Sequence, residues 1–465
     1  MKHAQIVVAL LLTLSVACGI PTADDYNCGL GIQGATGSTT MDITWFAKKD
    51  HYYFVKQTSN LRSKEWTYFP YAVKGSDGPE GIEIESNNDL MLFRLVFTED
   101  PDDPMLHQDF DGDKVINIHE LDKGYNLYDN SDSDSDSLPD DWEQHYFQAL
   151  NHDSDDDVDG DGFSNATEFL FDTDPSKNYA NEAARLSVDA RILNTAPTEA
   201  IKIFTEQDHA NATYVRNPNC WAQNIEDITA ISPWNSRQGR HRAGTLISPR
   251  HIIYAAHYPL YNNDKVRFVD KNNNIVERTI IAHQKHPLYL GSAGGYQHDL
   301  HVALLDSDVP SEIKFAKVLP DNWFDYLGDI YRIPALCLDF EEKALVNDFY
   351  NGINAQWLRH TVPTNPQRNR YYESKITGDS GNPAFIILNS ELIITNVWTW
   401  GGAGGGTSIF FEKEVINQIM KDLGGGYQLT EFDLSTFKKL EVNTNTLDHY
   451  TTEVDNDEYP FLGEP

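Results

Sequence analysis

Cysteine is scarce in this 465-residue sequence: there are four, and no two are spaced as a CxxC pair. A disulfide framework, and a zinc or redox site built on such a pair, are therefore excluded. Cys220 and Cys337 could form one disulfide in an oxidising compartment, which the sequence leaves undecided. Positive charge is also scarce, with 36 Lys and Arg against 71 Asp and Glu. The resulting charge of −35 repels nucleic-acid phosphates and anionic lipid headgroups, which argues against either as a partner.

Long apolar runs are absent after the N-terminus, so no membrane helix is predicted. Residues 1–23 have the pattern of an export signal, in which a basic start precedes the apolar run 6–14. Two cleavage patterns remain open. Residues 14–18 form an acceptable lipobox that would leave Cys18 lipidated and anchored to a bacterial envelope, whereas ordinary cleavage would fall within 17–23. We predict simple secretion, with a lipid anchor at Cys18 as the alternative.

Aromatic residues make up 12% of the chain and apolar residues 40%, which is enough to form buried cores. One apolar helix face, at Val415, Ile416, Ile419, Met420 and Leu423, stops at Gly424, and few other helical periods occur nearby. Four regions are predicted after the signal: a small β-sandwich-like accessory module at 28–100, an acidic segment at 101–178, a strand-rich region at 180–425 and an acidic C-terminal tail at 430–465.

The acidic segment carries 23 acidic residues and two lysines between positions 101 and 175. Three windows in it match the EF-hand-type loop, in which oxygens at positions 1, 3, 5 and 9 and a carboxylate at position 12 surround one Ca²⁺. A solvated acidic linker is the alternative, but each window ends in Glu and is followed by apolar residues. The candidate ligands are Asp109, Asp111, Asp113, the Val115 carbonyl, Asn117 and Glu120 in the first window, Asp132, Asp134, Asp136, Asp140 and Glu143 in the second, and Asp157, Asp159, Asp161, Asn165 and Glu168 in the third.

Calcium suits these windows because every ligand offered is an oxygen. The first window departs from the pattern at Lys114, where the sharp turn prefers glycine, while the third has Gly162 there. The text at 138–143 and 159–165, closing at 173–175, resembles bacterial thrombospondin type 3 repeats. This resemblance implies spacers that calcium makes rigid, so the Ca²⁺ is expected to be structural and no cofactor is expected for catalysis.

Three short strings point to catalysis. His257 follows a strand–turn–strand pattern ending in small residues, Asp299 stands at the head of an apolar strand, and Ser380 lies in a glycine-flanked turn before another apolar strand. A Ser hydroxyl needs a neutral imidazole to take its proton, and the imidazole needs a buried carboxylate to fix its tautomer. Glycines beside the Ser permit a tight turn that can direct the N–H groups of Gly378 and Ser380 at one point, as an oxyanion hole.

These strings, which read AAH, HDLHVALL and GDSGNP, resemble those of the chymotrypsin/trypsin-like serine proteases. The order His, Asp, Ser differs from that of α/β-hydrolases. The resemblance implies a mainly β fold with a double six-stranded antiparallel β-barrel and the site in the cleft between the barrels. His257 would be the general base, Asp299 its orienter and Ser380 the nucleophile. Residues 395–401 resemble the strand that contacts the substrate backbone, which implies substrate-binding roles for Thr399, Trp400 and Gly401 and support of Asp299 by Thr399.

The sequence departs from that family at several positions. Tyr258 stands where a disulfide Cys usually follows the His, and Asn382 replaces a Gly. No upstream segment is identifiable as the new N-terminus that would bind Asp379 after an activating cleavage. Ser374 matches the floor of the specificity pocket, and a neutral floor favours an apolar or uncharged substrate residue over Lys or Arg.

On these grounds we predict a secreted serine endopeptidase that cleaves protein or peptide substrates through an acyl-enzyme. Two alternatives remain open: a catalytically silent binding module with the protease fold, and a serine esterase that uses the same three residues. His298 and His301 do not converge on a metal, because on a strand they would point to opposite faces, and we interpret them as ordinary polar positions.

Overall fold

The chain forms two compact units, Met1–Asp156 and Asp157–Pro465. The division falls inside the predicted acidic segment, so the third acidic window belongs to the second unit. Among the described residues, no helix has the length and apolarity to cross a membrane. The computed structural model describes residues 5–9, 31–33, 40–58, 66–85, 92–101, 103–113, 115–234, 241–350 and 356–440.

The described residues of the first unit include seven antiparallel strands, which build two sheets. They are β1 (Gln5–Ala9), β2 (Gly31–Gln33), β3 (Thr40–Ala47), β4 (Tyr52–Thr58), β5 (Thr67–Lys74), β6 (Gly78–Glu85) and β7 (Leu92–Thr98). One sheet has the order β1-β7-β4-β5 and the other the order β2-β3-β6. β1 lies within the predicted export signal, whose other residues, Cys18 among them, lie outside the described part of the chain. Export and lipidation stay predictions.

Alternate residues of these strands point into one apolar core. Ile43 and Trp45 of β3 pack with Tyr53 of β4 and with Phe93 and Leu95 of β7, and all five are buried. Successive side chains of a strand point to opposite faces, so each sheet buries one face against the other. The two sheets therefore share a core, as in a β-sandwich.

Short helices begin inside the acidic windows. α1 (Asn117–Lys123) and α2 (Asp140–Tyr146) lie in the first unit and α3 (Asn165–Phe171) in the second. Each helix begins at position 9 of its window, which places the Glu of position 12 in the first helical turn. The outer face of β4 is covered by residues around α1, since Tyr52 and Phe54 pack against residues including Leu121.

The second unit contains two curled half-barrel sheets and few helices, so the prediction of a mainly β protein is confirmed. Its strands are the hairpin β8 (Phe204–Asp208) and β9 (Thr213–Arg216), followed by β10 (Thr245–Ser248), β11 (His251–Tyr254), β12 (Lys265–Val269), β13 (Ile275–Lys285), β14 (His301–Leu305), β15 (Pro334–Leu338), β16 (Ala344–Phe349), β17 (Trp357–Thr361), β18 (Pro383–Leu388), β19 (Glu391–Val397) and β20 (Gly405–Thr407). The five-stranded sheet has the order β10-β11-β14-β13-β12, and the six-stranded sheet the order β19-β18-β15-β16-β17-β20.

The central strands are buried on both faces, which explains their continuous apolar runs. In β11, Ile252 packs in a cluster within the five-stranded sheet, whereas Ile253 packs in a second cluster with Phe385 and Ile387 of β18. Apolar packing therefore joins the two sheets on which the catalytic strings lie.

The remaining helices are α4 (Ala180–Ile192), α5 (Pro197–Ala200), α6 (Phe324–Leu327), α7 (Pro366–Asn369) and α8 (Lys413–Leu423). The helix predicted at 415–423 is confirmed as α8, which ends at Gly424 with φ +92°. The sequence did not predict α4. Its buried positions include the polar residues Ser187 and Asp189 beside Leu186 and Val188, which weakens the apolar period.

A buried cluster of three charged side chains joins α4 to α7 and β16 within the second unit. Arg368 donates two hydrogen bonds of 2.7 Å to Asp189 of α4 and one of 3.1 Å to Asp348 of β16. Removing one partner from such a cluster leaves a buried charge uncompensated.

Replacing Arg368 by Ala leaves the buried carboxylates of Asp189 and Asp348 without their shared cation, and should therefore lower the free energy of unfolding by about 3–5 kcal/mol. The control is Glu199→Ala, which breaks an exposed 2.9 Å pair with Lys202 and should cost about 0–1 kcal/mol. Urea denaturation measures both variants, and equal losses would contradict the assigned role of the buried cluster.

The predicted tail boundary at 430 is too early. Phe432, Leu434 and Phe437 are buried in the core of the six-stranded sheet, because the chain after α8 returns across the surface next to Val318 and Tyr179. Residues 441–465 lie outside the described part of the chain.

Candidate active site

Antiparallel pairing of two inner strands brings His257 and Asp299 to the same end of the five-stranded sheet. β11 pairs with β14, and Tyr254 is opposite His301. His257 follows the end of β11 by three residues, and Asp299 precedes β14 by two. Two positions separated by 42 residues in sequence thus become neighbours.

The Asp299 carboxylate is fully buried and accepts three hydrogen bonds. Its Oδ2 lies 2.5 Å from His257 Nδ1 and 2.8 Å from the Thr399 hydroxyl, while its Oδ1 accepts from the His257 backbone N–H at 2.8 Å. The Asp299 N–H in turn donates to the Thr407 hydroxyl at 3.0 Å. The carboxylate is therefore held from both sides, in the position that a base-orienting group requires.

Ser380 completes the arrangement from the six-stranded sheet. Its Oγ lies 2.7 Å from His257 Nε2 and is buried with the rest of its side chain. The turn around it needs glycine, since Gly378 and Gly381 have φ values of +109° and +82°. Gly381 N–H donates to the Trp398 carbonyl at 3.0 Å, which fixes the turn to the segment directly after β19.

Asp379 is held by the protein backbone. Its carboxylate accepts from the N–H groups of Ile376 at 2.7 Å and Phe340 at 3.0 Å. Burial raises the pKa of this group, and these two hydrogen bonds partly oppose the effect. The partner that the sequence could not identify for Asp379 is thus supplied, in this structure, by two amides of the folded chain.

The departures from the protease pattern are accommodated locally. Tyr258, in place of a disulfide Cys, is buried, and its hydroxyl accepts from the His241 N–H at 3.1 Å. Asn382, in place of a Gly, donates from its side chain to the Asp379 carbonyl at 3.2 Å. Both side chains therefore add contacts to the turn and strand that carry the site.

An aromatic groove lies beside the triad. Tyr296 contacts the His257 ring, with ring centres 6.1 Å apart, and the Trp400 ring, at 6.2 Å. Trp400 also contacts Trp357, at 5.5 Å. The sequence predicted Trp400 but missed Tyr296 and Trp357. The groove is lined by Gly295, Gln297, Trp357, Leu358, Arg359, Trp400 and Gly405.

The other predicted substrate-binding residues lie in different surroundings. Thr399 supports Asp299, as described above, and Gly401 is buried in the turn that ends at Gly404. Ser374 is exposed, with its hydroxyl 3.1 Å from that of Tyr372, and it does not line the aromatic groove. A specificity role for Ser374 stays a prediction.

The two histidines interpreted as ordinary polar positions belong to separate buried networks. His301 Nε2 lies 2.9 Å from His283 Nδ1, and burial, followed by the charges of His283 and Lys285, lowers the pKa of His301 to about 3. His298 pairs instead with Glu412. Cys220 and Cys337 do not pair: both thiols are free and buried.

Each acidic window draws three carboxylates together. In every window the Asp residues of positions 1, 3 and 5 have oxygens within 4.8 Å of one another. The loops close through their own backbone, as in the third window, where Asp157 accepts from the N–H groups of Gly160 and Gly162. Lys114, the departure in the first window, lies outside the described residues.

The Glu residues of position 12 are buried within these loops. Among the described residues, none donates a hydrogen bond to either carboxylate oxygen of Glu120 or to Oε2 of Glu168. Burial, followed by the nearby Asp charges, raises the pKa of Glu120 to about 8, of Glu143 to about 7 and of Glu168 to about 9. Buried acceptors without a donor fit a hard divalent cation, which prefers oxygen ligands.

In the second window, Asp140 is held by another residue of the same loop. Both Asp140 oxygens accept hydrogen bonds from Ser133, at 2.7 and 2.6 Å. The sequence also missed Asp141, whose charge raises the pKa values of Asp113 and Glu120 in the first window. One of its oxygens, Oδ1, is buried with no hydrogen-bond donor among the described residues. The first window therefore gathers an additional carboxylate from the second.

The chain matches no protein-family model, and comparison with curated proteins also gives no match.

Proposed function

We propose that the chain is a secreted serine endopeptidase of the chymotrypsin/trypsin-like type. The observation that carries this proposal is the continuous hydrogen-bonded series from Asp299 through His257 to Ser380, with distances of 2.5 and 2.7 Å. The two curled sheets, with the three residues contributed from both, support a double-barrel architecture. Neither a binding module nor a structural protein requires this alignment of buried groups.

In the proposed reaction, Ser380 Oγ attacks the carbonyl carbon of the scissile peptide bond while its proton passes to His257 Nε2. The Gly378 and Ser380 N–H groups are assigned to the oxyanion that forms. As the C–N bond breaks, the same proton passes to the leaving amine. Water then attacks the acyl-enzyme, and His257 takes the proton of the water and returns a proton to Ser380. Asp299 stays ionised and holds the imidazole in one tautomer.

The aromatic groove supports a peptide as the substrate. Trp400 follows directly after Thr399, so a chain bound along this segment would pass Tyr296, Trp357 and Trp400 after leaving Ser380. These three rings offer apolar contact area that a small ester would not use. We therefore propose that extended peptides with apolar side chains are preferred over simple esters.

We also propose that the three acidic windows bind structural Ca²⁺. The Asp residues of positions 1, 3 and 5 and the Glu of position 12 would hold the ion in each window, and the ion would supply the positive charge that these buried carboxylates lack. It takes no part in the proposed hydrolysis.

Labelling with a fluorophosphonate, which bonds covalently to an activated Ser oxygen, tests the enzymatic proposal. We expect the wild type to be labelled and the Ser380→Ala variant to lose the label. Ser307→Ala is the control, because Ser307 is exposed and lies outside the Ser380 turn; this variant should label normally. A folded Ser380→Ala variant that labels as well as the wild type would overturn the proposal. Turnover of peptide amides compared with simple esters separates the endopeptidase from the esterase alternative.

A further inference from the structure

A buried polar cluster lies directly behind the candidate active site. It joins three parts of the second unit: His286, which follows β13, His298, which precedes Asp299, and Glu412, which precedes α8. His286 Nε2 lies 3.1 Å from one Glu412 oxygen, and His298 Nδ1 lies 2.6 Å from the other. His286 and Glu412 are almost completely buried.

The outer nitrogens of the two rings determine where the protons are. His286 Nδ1 accepts from the Leu288 backbone N–H at 3.2 Å, and His298 Nε2 lies 2.8 Å from the Gln356 side-chain nitrogen. Because the outer nitrogen of His286 faces a backbone N–H, the inner nitrogen of His286 carries the hydrogen and donates it to Glu412. The Gln356 amide, with its nitrogen toward His298, is compatible with the same arrangement at His298. Burial acts to raise the pKa of Glu412, but the hydrogen bonds from both histidines outweigh it and hold the pKa below its ordinary value. Both Glu412 oxygens and all four ring nitrogens of His286 and His298 thus have a hydrogen-bond partner in this cluster.

The same geometry argues against a metal ion between these three residues. The two rings are stacked, with an interplanar angle of 8° and centres 4.6 Å apart. A metal lies in the plane of each imidazole that binds it, and two stacked planes share no such point. In addition, an imidazole that binds a metal donates from its other nitrogen, whereas the outer nitrogen of His286 accepts.

His298 controls the direction in which the chain enters Asp299. Its φ of +55° is in the left-handed region, which is uncommon for a residue with a Cβ. Its carbonyl accepts from the Leu300 N–H at 2.7 Å, so Asp299 lies at the apex of a tight turn. Thr407 holds the Asp299 N–H from one side, and Glu412, five residues later, holds the preceding side chain.

We propose that Glu412 is a positioning residue that acts through His298 to hold Asp299 against His257. The proposal rests on the proposed function for its catalytic consequence, but the position of Asp299 itself can be measured without a substrate. The segment that leads from β20 into α8 would thus contact the Asp299 turn at two points, and loss of the Glu412 contact would release it.

Two substitutions separate positioning from general stability. Glu412→Ala removes the only acceptor that both rings share and leaves two buried N–H groups without a partner. Glu412→Gln can keep every hydrogen bond: its oxygen accepts from His286, its NH₂ donates to His298, and His298 changes tautomer as the Gln356 amide turns to accept. His286 cannot change in this way, because its outer nitrogen faces a backbone N–H.

The first measurement is the downfield proton NMR signal of the short His257–Asp299 hydrogen bond in the full chain without substrate. Asp299→Asn, which removes the carboxylate, assigns the signal. We expect the signal in the wild type and in Glu412→Gln, and its loss or a large shift in Glu412→Ala. An unchanged signal in folded Glu412→Ala would overturn the proposal, whatever the enzymatic activity proves to be.

The second measurement is the steady-state kinetics of peptide-amide hydrolysis, normalised to the folded fraction. We expect Glu412→Ala to lower kcat by about 10–100-fold with little change in KM. The reason is that a misoriented His257 weakens stabilisation of the transition state but not binding of the substrate. Glu412→Gln should stay within about threefold of the wild type. Glu414→Ala, at an exposed position in the first turn of α8, is the control. Equal losses in both Glu412 variants would contradict positioning, while an inactive wild type with the expected NMR pattern would reject only the proposed function.

Discussion

Replacing Asp299 by Asn should lower kcat for a peptide amide by about 10⁴-fold while the protein remains folded. The hydrogen bonds around Asp299 explain the size of the effect. Oδ1 faces the His257 backbone N–H, which can only donate, so the Asn oxygen must take this place. The Asn NH₂ then faces His257 Nδ1, which has to accept. The imidazole proton moves to Nε2, where it blocks transfer from Ser380.

The matched control for this experiment is Thr399→Val, which removes one hydrogen bond to Asp299 Oδ2 but leaves the carboxylate. A hydrogen bond to a charged group contributes about 1.5–3 kcal/mol, so we expect a loss of about 10–100-fold. Far-UV circular dichroism and thermal denaturation establish that each variant is folded. An Asp299→Asn variant that keeps a tenth of the wild-type kcat would contradict the role assigned to Asp299.

Removal of calcium should lower the melting temperature of the second unit, the one that holds the triad. The third acidic window belongs to this unit, and Phe163, within the window, packs against the core of the six-stranded sheet. A ligand at a hundred times its dissociation constant stabilises the folded state by about 2.7 kcal/mol, which corresponds to roughly 4 °C for a unit of this size. EDTA should therefore lower the calorimetric transition of the second unit by about this amount.

Two Glu variants locate the effect within the chain. Glu168→Gln, in the third window, should reproduce the shift in calcium-containing buffer. Glu120→Gln removes an equally buried carboxylate from the first window and should leave the transition of the second unit unchanged. Calorimetry, with retained fluorophosphonate labelling as a second signal, measures both. No shift with EDTA, or the same shift in both variants, would contradict a calcium site of this kind in the third window.

The three positions of the candidate triad could be predicted because each lies in a short, recognisable sequence motif. A strand ends before His257, a strand begins after Asp299, and glycines surround Ser380, so each side chain lies at a strand end that the sequence identifies. The mainly β class follows from the same runs. Short sequence motifs do not determine how the strands pair, and the pairing determines which strand ends lie next to each other.

The aromatic groove was missed for this reason. Trp357 and Trp400 are far apart in sequence and become neighbours only because β17 pairs with β20, with Trp357 opposite Thr407 and Arg359 opposite Gly405. The role of His298 was missed because its partner, Glu412, is 114 residues away. The helix α4 was missed because Ser187 and Asp189 stand among its buried apolar residues and weaken the apolar period. The packed segment at 430–440 was missed because its apolar residues are isolated among polar ones.

The free thiols of the second unit have a practical consequence. Cys220 and Cys337 are buried, and burial raises their pKa values to about 11 and about 12, so neither is a reactive thiolate in the folded state. Once Cys18 and Cys28 are substituted, an alkylating reagent can reach sulfur only when this unit opens. Cys220 and Cys337 then serve as built-in reporters whose rate of modification records how often the second unit opens, without turnover of a substrate.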